Sequence, residues 1–183
     1  MVNPGLIIIC KIVIKIFCFS IDTNFTIREN NKDIKKQINE VKEGDSILVH
    51  MGEEKRYAKV LSNQKVDGKY EFYHIKLKSL KEPEKTKEIK VTGEHIMITF
   101  GKKDEINLVH AKNLQVNEFM ETDDGLYKIY EITKEIEESK YFLFVKGGVV
   151  YANNIFVSTI CSDEKAQIIK PTKEEWQKFQ NSE

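Results

Sequence analysis

An internal repeat constrains this chain more than any other feature. The stretch Ile38-Asn39-Glu40-Val41-Lys42-Glu43-Gly44-Asp45-Ser46-Ile47 is echoed by Ala111-Lys112-Asn113-Leu114-Gln115-Val116-Asn117-Glu118-Phe119-Met120. Both carry apolar residues at the first, fourth and tenth places, and a turn pair, Gly-Asp or Asn-Glu, at the seventh and eighth. Two further matches follow in the same order. Lys69-Tyr70 to Ile75 resembles Lys140-Tyr141 to Lys146, and Val91 to Ile98 lines up with Val150 to Val157. A unit that cannot bury its own apolar face finds a partner in its copy. The three matches therefore predict two similar halves packed about a pseudo-two-fold axis. The first half is longer by Lys78 to Lys87, KSLKEPEKTK, which reads as a solvated insertion.

The halves are predicted to be β. Apolar segments are short, rich in Ile, Val, Tyr and Phe, and bounded by Gly, Asn, Asp or Lys clusters. Strands are expected at Thr26-Ile27, Ser46 to His50, Tyr57 to Leu61, Tyr70 to Leu77, Glu88 to Val91 and Ile96 to Phe100. The second half adds Asn107 to His110, Phe119 to Thr122, Tyr127 to Thr133, Tyr141 to Val145, Gly148 to Tyr151 and Ile155 to Cys161. Asn153-Asn154 reads as a β-turn. Helical signals are confined to the tail, where Thr172-Lys173-Glu174-Glu175 after Pro171 forms a capping box opening a short helix through Trp176 and Phe179.

The 183 residues suffice for one domain with a core. The 29 basic and 29 acidic residues cancel, which argues against a nucleic-acid or polybasic membrane partner. Three cysteines, Cys10, Cys18 and Cys161, make no disulfide scaffold and no CxxC pair. The histidines His50, His74, His95 and His110 show no metal-binding spacing. Neither a metal nor another cofactor is expected, and a monomer is. The leader, residues 1–17, is interrupted by Lys11 and Lys15, too short and too charged to span a bilayer. A signal peptide would want a longer unbroken apolar centre. Ile and Val dominate, favouring a β-strand leading into Cys18. A start other than the natural one, with an upstream partner missing, is a further reading.

One constellation carries chemistry. Cys18 opens the first half, and Thr92 and His95 lie late in it, as Thr-x-x-His. A thiol can attack the carbonyl just before it, here that of Phe17, and convert the Phe17–Cys18 peptide to a thioester by an N-to-S acyl shift. The leaving nitrogen needs a proton, which an imidazole with a pKa near neutrality is suited to donate. A threonine hydroxyl three residues earlier can bond the same amide if the backbone bends between them, and Gly93 permits a bend. Each residue alone has a bland reading: packing for Cys18, a satisfied core or surface group for His95. Their order inside a duplicated β chain favours the chemical one.

These residues resemble the Hint module, the fold of Hedgehog autoprocessing domains and inteins. Cys18-Phe19-Ser20 with Asp22-Thr23 is similar to the module's opening. Ile38 to Ile47 resembles the following Gly-Asp segment, and Thr92-Gly93-Glu94-His95 the Thr-x-x-His block. Gly148 to Cys161 is similar to the closing block, nearest the Hedgehog type. The resemblance implies an all-β Hint-like fold over 18–161, with 1–17 as leader or remnant and 162–183 as tail. It implies Cys18 as nucleophile, and Thr92 and His95 as activators of the scissile amide. Cys161 matches a closing cysteine that would exchange with the thioester or pair with Cys18, against a plain reading as a small buried hydrophobe. Asp67 lies near the place of a Hedgehog-type general base, although its neighbour Gly68 makes a hairpin turn the better explanation. Asn153-Asn154 lacks the His-Asn ending of an intein, so full splicing is not expected. Only 22 residues follow Cys161, so a sterol acceptor is not expected either. Phe17 stands where Hedgehog-type members have Gly, a bulk that would slow attack. Secretory routing is implied by resemblance alone.

The function expected is self-cleavage at Phe17–Cys18, with the upstream polypeptide as substrate and water or a thiol as acceptor. The alternatives are an inactive Hint-fold module serving as binding or spacer domain, and an unrelated β domain with a membrane-docked leader.

Overall fold

A computed structural model describes residues 18–51, 54–101, 106–145 and 149–159. Phe17 and the leader, Cys161 and the expected tail helix lie outside them.

The described chain is almost entirely β, as the segment pattern predicts. Its strands are β1 (Asn24–Glu29), β2 (Lys32–Gln37), β3 (Ser46–Met51), β4 (Glu54–Ser79), β5 (Thr86–Thr92), β6 (Ile96–Phe100), β7 (Ile106–His110), β8 (Phe119–Thr122), β9 (Gly125–Val145), β10 (Val149–Ala152) and β11 (Ile155–Ser158). They form one sheet of order β10-β1-β3-β4-β9-β8-β11-β6-β7, with β2 added to β1 and β5 to β4. Its buried faces close on Phe25 and Ile27 of β1, Ile75 and Leu77 of β4, Ile129 of β9 and Val157 of β11. Each such side chain contributes roughly 1.5–3 kcal/mol by leaving water.

Two departures from the sequence reading matter. The expected pairs Tyr57–Leu61 with Tyr70–Leu77, and Tyr127–Thr133 with Tyr141–Val145, are continuous: β4 and β9 are single strands of 26 and 21 residues. They pair antiparallel from Val60–Val145 to Ser79–Tyr127, with bulges at three places. One bulge falls between Asp67 and Tyr70, so Asp67-Gly68 is not the hairpin turn expected. Gly68 instead takes the left-handed φ of 142° inside the strand. Second, β2 (KDIKKQ) is a strand the sequence pattern does not announce. The two-residue turn Asn30-Asn31, with φ of 48° and 60°, folds it back on β1.

The repeat is reproduced bond by bond. Ile38–Glu40 and Ala111–Asn113 are each a 3-10 turn. Val41 N–H donates to the Ile38 carbonyl (3.3 Å) and Leu114 to that of Ala111 (3.2 Å). Lys42 N–H bonds Asp45 Oδ2 at 2.9 Å, and Gln115 N–H bonds Glu118 Oε2 at 2.8 Å. Gly44 and Asn117, at the seventh place, are both left-handed, with φ of 87° and 73°. Each donates across to the long strand, to the Val60 and Ile129 carbonyls at 2.8 Å.

The third sequence match is looser. Asn153-Asn154, with φ of 49° and 63°, closes the β10–β11 hairpin as expected. The turn at Gly93-Glu94 has a different relative. His95 N–H bonds the Thr92 carbonyl (2.9 Å) and Ala111 N–H then bonds the His95 carbonyl (2.8 Å). Thr23 N–H bonds the Ser20 carbonyl (3.2 Å) and Ile38 N–H bonds the Thr23 carbonyl (2.9 Å) in the same way. Ser20-x-x-Thr23 is therefore the structural partner of Thr92-x-x-His95. The expected insertion is a tight connection too: Lys78 still pairs with Thr86, leaving only residues 80–85 to turn.

Candidate active site

The opening segment enters the sheet as a short strand between β5 and β9. Phe19 and Tyr141 exchange backbone hydrogen bonds at 2.9 and 3.0 Å. On the other side Ser20 N–H donates to the Lys90 carbonyl (3.2 Å), and Thr92 N–H to the Cys18 carbonyl (3.0 Å). Phe19 packs edge-on against Phe25, centroids 5.6 Å apart, and against the His95 ring at 4.5 Å. Ser20 Oγ donates to the Glu137 carboxylate at 2.7–2.8 Å. Lys90 joins Asp22 to Glu135, 3.0 Å from each. Residues 18–22 are thus fixed from both sides, so the Cys18 amide has one orientation.

That amide meets Thr92. Cys18 N–H donates to Thr92 Oγ1 at 3.0 Å, and the hydroxyl lies 3.5 Å from the Cys18 carbonyl oxygen. The turn after Thr92 carries His95 to the same place. Gly93 is needed there for clearance rather than for an unusual φ: a Cβ would stand 2.9 Å from Tyr73 Cε2 and 3.3 Å from Lys112 Cβ.

His95 is 1% exposed. Its Nε2 lies 2.9 Å from the Ser158 carbonyl. A carbonyl only accepts, so Nε2 carries the proton and Nδ1 holds a lone pair. Nδ1 is buried without a hydrogen bond among the described residues. Burial pulls the imidazole down to about 4, against the opposing pull of the Ser158 and Cys18 carbonyls, which favour a protonated ring. At neutral pH the ring is neutral. That revises the expectation of a donor near neutrality: before giving a proton His95 must first take one.

Cys18 is 0% exposed, and burial pushes its thiol up to about 12. The ammonium of Lys140 opposes that shift. Lys140, 4% exposed, sits just before Tyr141 on β9 and caps the Tyr70 ring at 4.1 Å.

Cys18, Thr92 and His95, far apart in sequence, thus converge. Asp67 belongs to the exposed ribbon, with its side chain 79% exposed and paired to Lys65 at 2.8 Å. Three contributors went unforeseen. Phe19 enters the sequence pattern only as part of the opening motif. Lys140 is a buried lysine, a rarity that sequence gives no reason to expect. Ser158 acts through its carbonyl, which every residue has. Among the described residues no group of three or more His, Cys, Asp or Glu is placed to hold a metal ion.

No protein-family model matches the chain, and no curated protein matches it significantly in sequence. Solved structures do match in fold. The gp41-1 intein superimposes with a TM-score of 0.61 at 23% identity, covering 78% of this chain and 98% of its own. A DnaB intein from Synechocystis sp. PCC 6803 gives 0.60 at 21%, covering 79% and 99%. A bacterial intein-like domain from Clostridium thermocellum gives 0.58 at 20%, covering 77% and 97%. The chain therefore has the intein Hint fold, and these matches lend no support to a Hedgehog subtype.

Proposed function

We propose that this protein is an autoprocessing domain that cuts its own chain at Phe17–Cys18. The observation that carries the reading is the 3.0 Å hydrogen bond from Cys18 N–H to Thr92 Oγ1, with His95 packed on the next residue, Phe19, and facing the Cys18 carbonyl. That amide nitrogen is the atom that must leave. Cys18 Sγ attacks the Phe17 carbonyl carbon and its proton passes to His95 Nδ1. The carbon–nitrogen bond then breaks while the imidazolium returns the proton to the nitrogen. The product is a thioester on Cys18, with a free amine at the same residue. No atom is gained or lost, and the neutral, buried imidazole suits a group that accepts before it donates. Nucleophile and carbonyl belong to adjacent residues, so proximity supplies much of the acceleration. Water or a thiol then resolves the thioester and releases the upstream polypeptide. The Hint fold shared with inteins supports self-processing of this kind.

The second reading, an inactive Hint-fold module, draws on the same burial: a thiol raised to about 12 supplies little thiolate at neutral pH. Mass spectrometry separates the two. A chain with a folded domain ahead of Cys18 is incubated with dithiothreitol, beside its Cys18→Ala counterpart. Scission between residues 17 and 18 in the parent alone is the expected result. An intact parent chain means the module is inert.

A further inference from the structure

The opening segment lies along β5 in antiparallel register, with Phe19 opposite Val91. Cys18 therefore stands opposite Thr92, and Ser20 opposite Lys90, whose carbonyl accepts the Ser20 N–H at 3.2 Å. On its other side Lys90 is the register partner of His74 on β4. Side chains two residues apart share one face of a strand. The row His74–Lys90–Ser20 thus runs one pleat repeat, about 7 Å, from Thr92 and the reacting amide.

Three carboxylates converge on the partly buried Lys90 ammonium. Asp22 of the opening segment and Glu135 of β9 each lie 3.0 Å from Nζ, and Glu137 of β9 lies at 3.7 Å. Glu135 has a second partner: His74 Nδ1 lies 2.8 Å from it, while His74 Nε2 lies 3.0 Å from Glu88 of β5. Burial pulls the pKa of Lys90 down, but its hydrogen bonds to Glu135 and Asp22 outweigh that and the net shift is upward. Lys90 is thus a cation set between Asp22 and the two carboxylates of β9.

We propose that Lys90 is a positioning residue of the self-cleavage: its ammonium clamps Asp22 to β9 and so holds the Cys18 amide in place against Thr92 and His95. The inference rests on the proposed scission at Phe17–Cys18. Lys90 acts through Asp22 rather than on the reacting atoms. Without the ammonium, Asp22 faces Glu135 and Glu137 uncompensated, and like charges at such range push the opening segment away from β9. The backbone bonds of Phe19 and Ser20 remain, so the segment stays in the sheet while the amide loses its alignment. Several charges held in one network do more than an isolated exposed pair.

The test times cleavage of the full chain by mass spectrometry at saturating dithiothreitol, where the rate reports the acyl shift. Lys90→Met is expected to slow it about three- to tenfold, and Lys90→Arg to keep it within about twofold of the parent. Adding Asp22→Asn to Lys90→Met recovers part of the loss, because one uncompensated charge is gone. A merely structural lysine would lower the melting temperature without this pattern of rescue. Lys76→Met, which breaks a pair with Glu131 elsewhere between β4 and β9, keeps the parental rate. Where Lys90→Met does not fold, Asp22→Asn alone decides, since that side chain is half exposed: a slowing of about twofold or more is expected, and an unchanged rate overturns the clamp. A folded Lys90→Met that cleaves at the parental rate overturns the positioning role while self-cleavage stands. So does a slowing that neither Lys90→Arg nor Asp22→Asn relieves. A parent chain that stays intact overturns both.

Discussion

The turns at Ser20–Thr23 and Thr92–His95 share a backbone pattern and differ in what they hold. Ser20-x-x-Thr23 leads through β1 and β2 to the 3-10 turn at Ile38, and Thr92-x-x-His95 leads through β6 and β7 to that at Ala111. In the first, the Ser20 hydroxyl bonds Glu137 and the buried Thr23 hydroxyl has no partner among the described residues. In the second, the Thr92 hydroxyl bonds the Cys18 amide and His95 presents a ring nitrogen with no partner among the described residues. The same frame thus occurs twice, and side-chain identity gives only the second copy the groups that the proposed cleavage needs. A threonine at the fourth place offers no basic nitrogen to take up a proton, whereas a neutral imidazole does.

The sharpest way to break this contrast is at that fourth place. His95→Ala is expected to slow cleavage by about a hundred- to ten-thousandfold. Thr23→Ala, at the matching site, leaves the rate near that of the parent, read by timed mass spectrometry. A large loss in both would mean that the turns act alike.

Stability against pH tests the same histidine next. Its pKa drops from 6.5 unfolded to about 4 folded, so the unfolded chain binds more protons between those values. The contribution is present above 6.5 and is lost as pH falls through about 4, on the order of 3 kcal/mol in full. Cys18 acts at the other end. Its folded pKa is raised from 9.0 to about 12, so its contribution holds below 9.0 and is lost as pH rises toward 12. Urea titrations across pH are expected to show a plateau bounded by these two groups. His95→Gln removes the acid slope, and an unchanged slope would assign it elsewhere.

At the first place the effects are smaller. Thr92→Ala removes the hydroxyl on the amide and is expected to slow cleavage about tenfold, the kinetic equivalent of about 1.4 kcal/mol. Ser20→Ala lowers stability by about 1 kcal/mol through the lost bond to Glu137, with the rate near the parent's. Smallest are the left-handed corners. Gly44→Ala is expected to cost about 1–2 kcal/mol, although nothing lies within 4 Å of a Cβ there. Gly44→Asn and Asn117→Gly, which interchange the two corner residues, stay within a few tenths of the parent in thermal denaturation. An equal cost for Gly44→Ala and Gly44→Asn would remove φ as the cause.

How much of this was legible in the sequence follows from where the information sits. The corner at Ile38 and its copy at Ala111 were readable because apolar spacing and turn residues were kept together. The relation of Ser20–Thr23 to Thr92–His95 was not, because the two turns share only a hydroxyl at the first place and differ at the fourth, Thr23 against His95. Strand β2 escaped because KDIKKQ, exposed or half-exposed throughout, lies along the sheet as an addition to β1 and needs no apolar face. Long β4 and β9 were read as pairs of short strands because their polar middles, such as Ser62 to Lys65, carry no apolar alternation to mark them as strand. Cys18, Thr92 and His95 were legible as an order of residue types. Lys140 and the Ser158 carbonyl needed coordinates.

The lodging of Phe19 between Val91 and Tyr141 has a temporal consequence. Both neighbours are made long after Phe19 on a growing chain, and one of them belongs to the second half of the molecule. The pocket around Cys18 cannot assemble until the ribosome has delivered that half. On the proposed reading, scission therefore waits until the second half of the chain has been made.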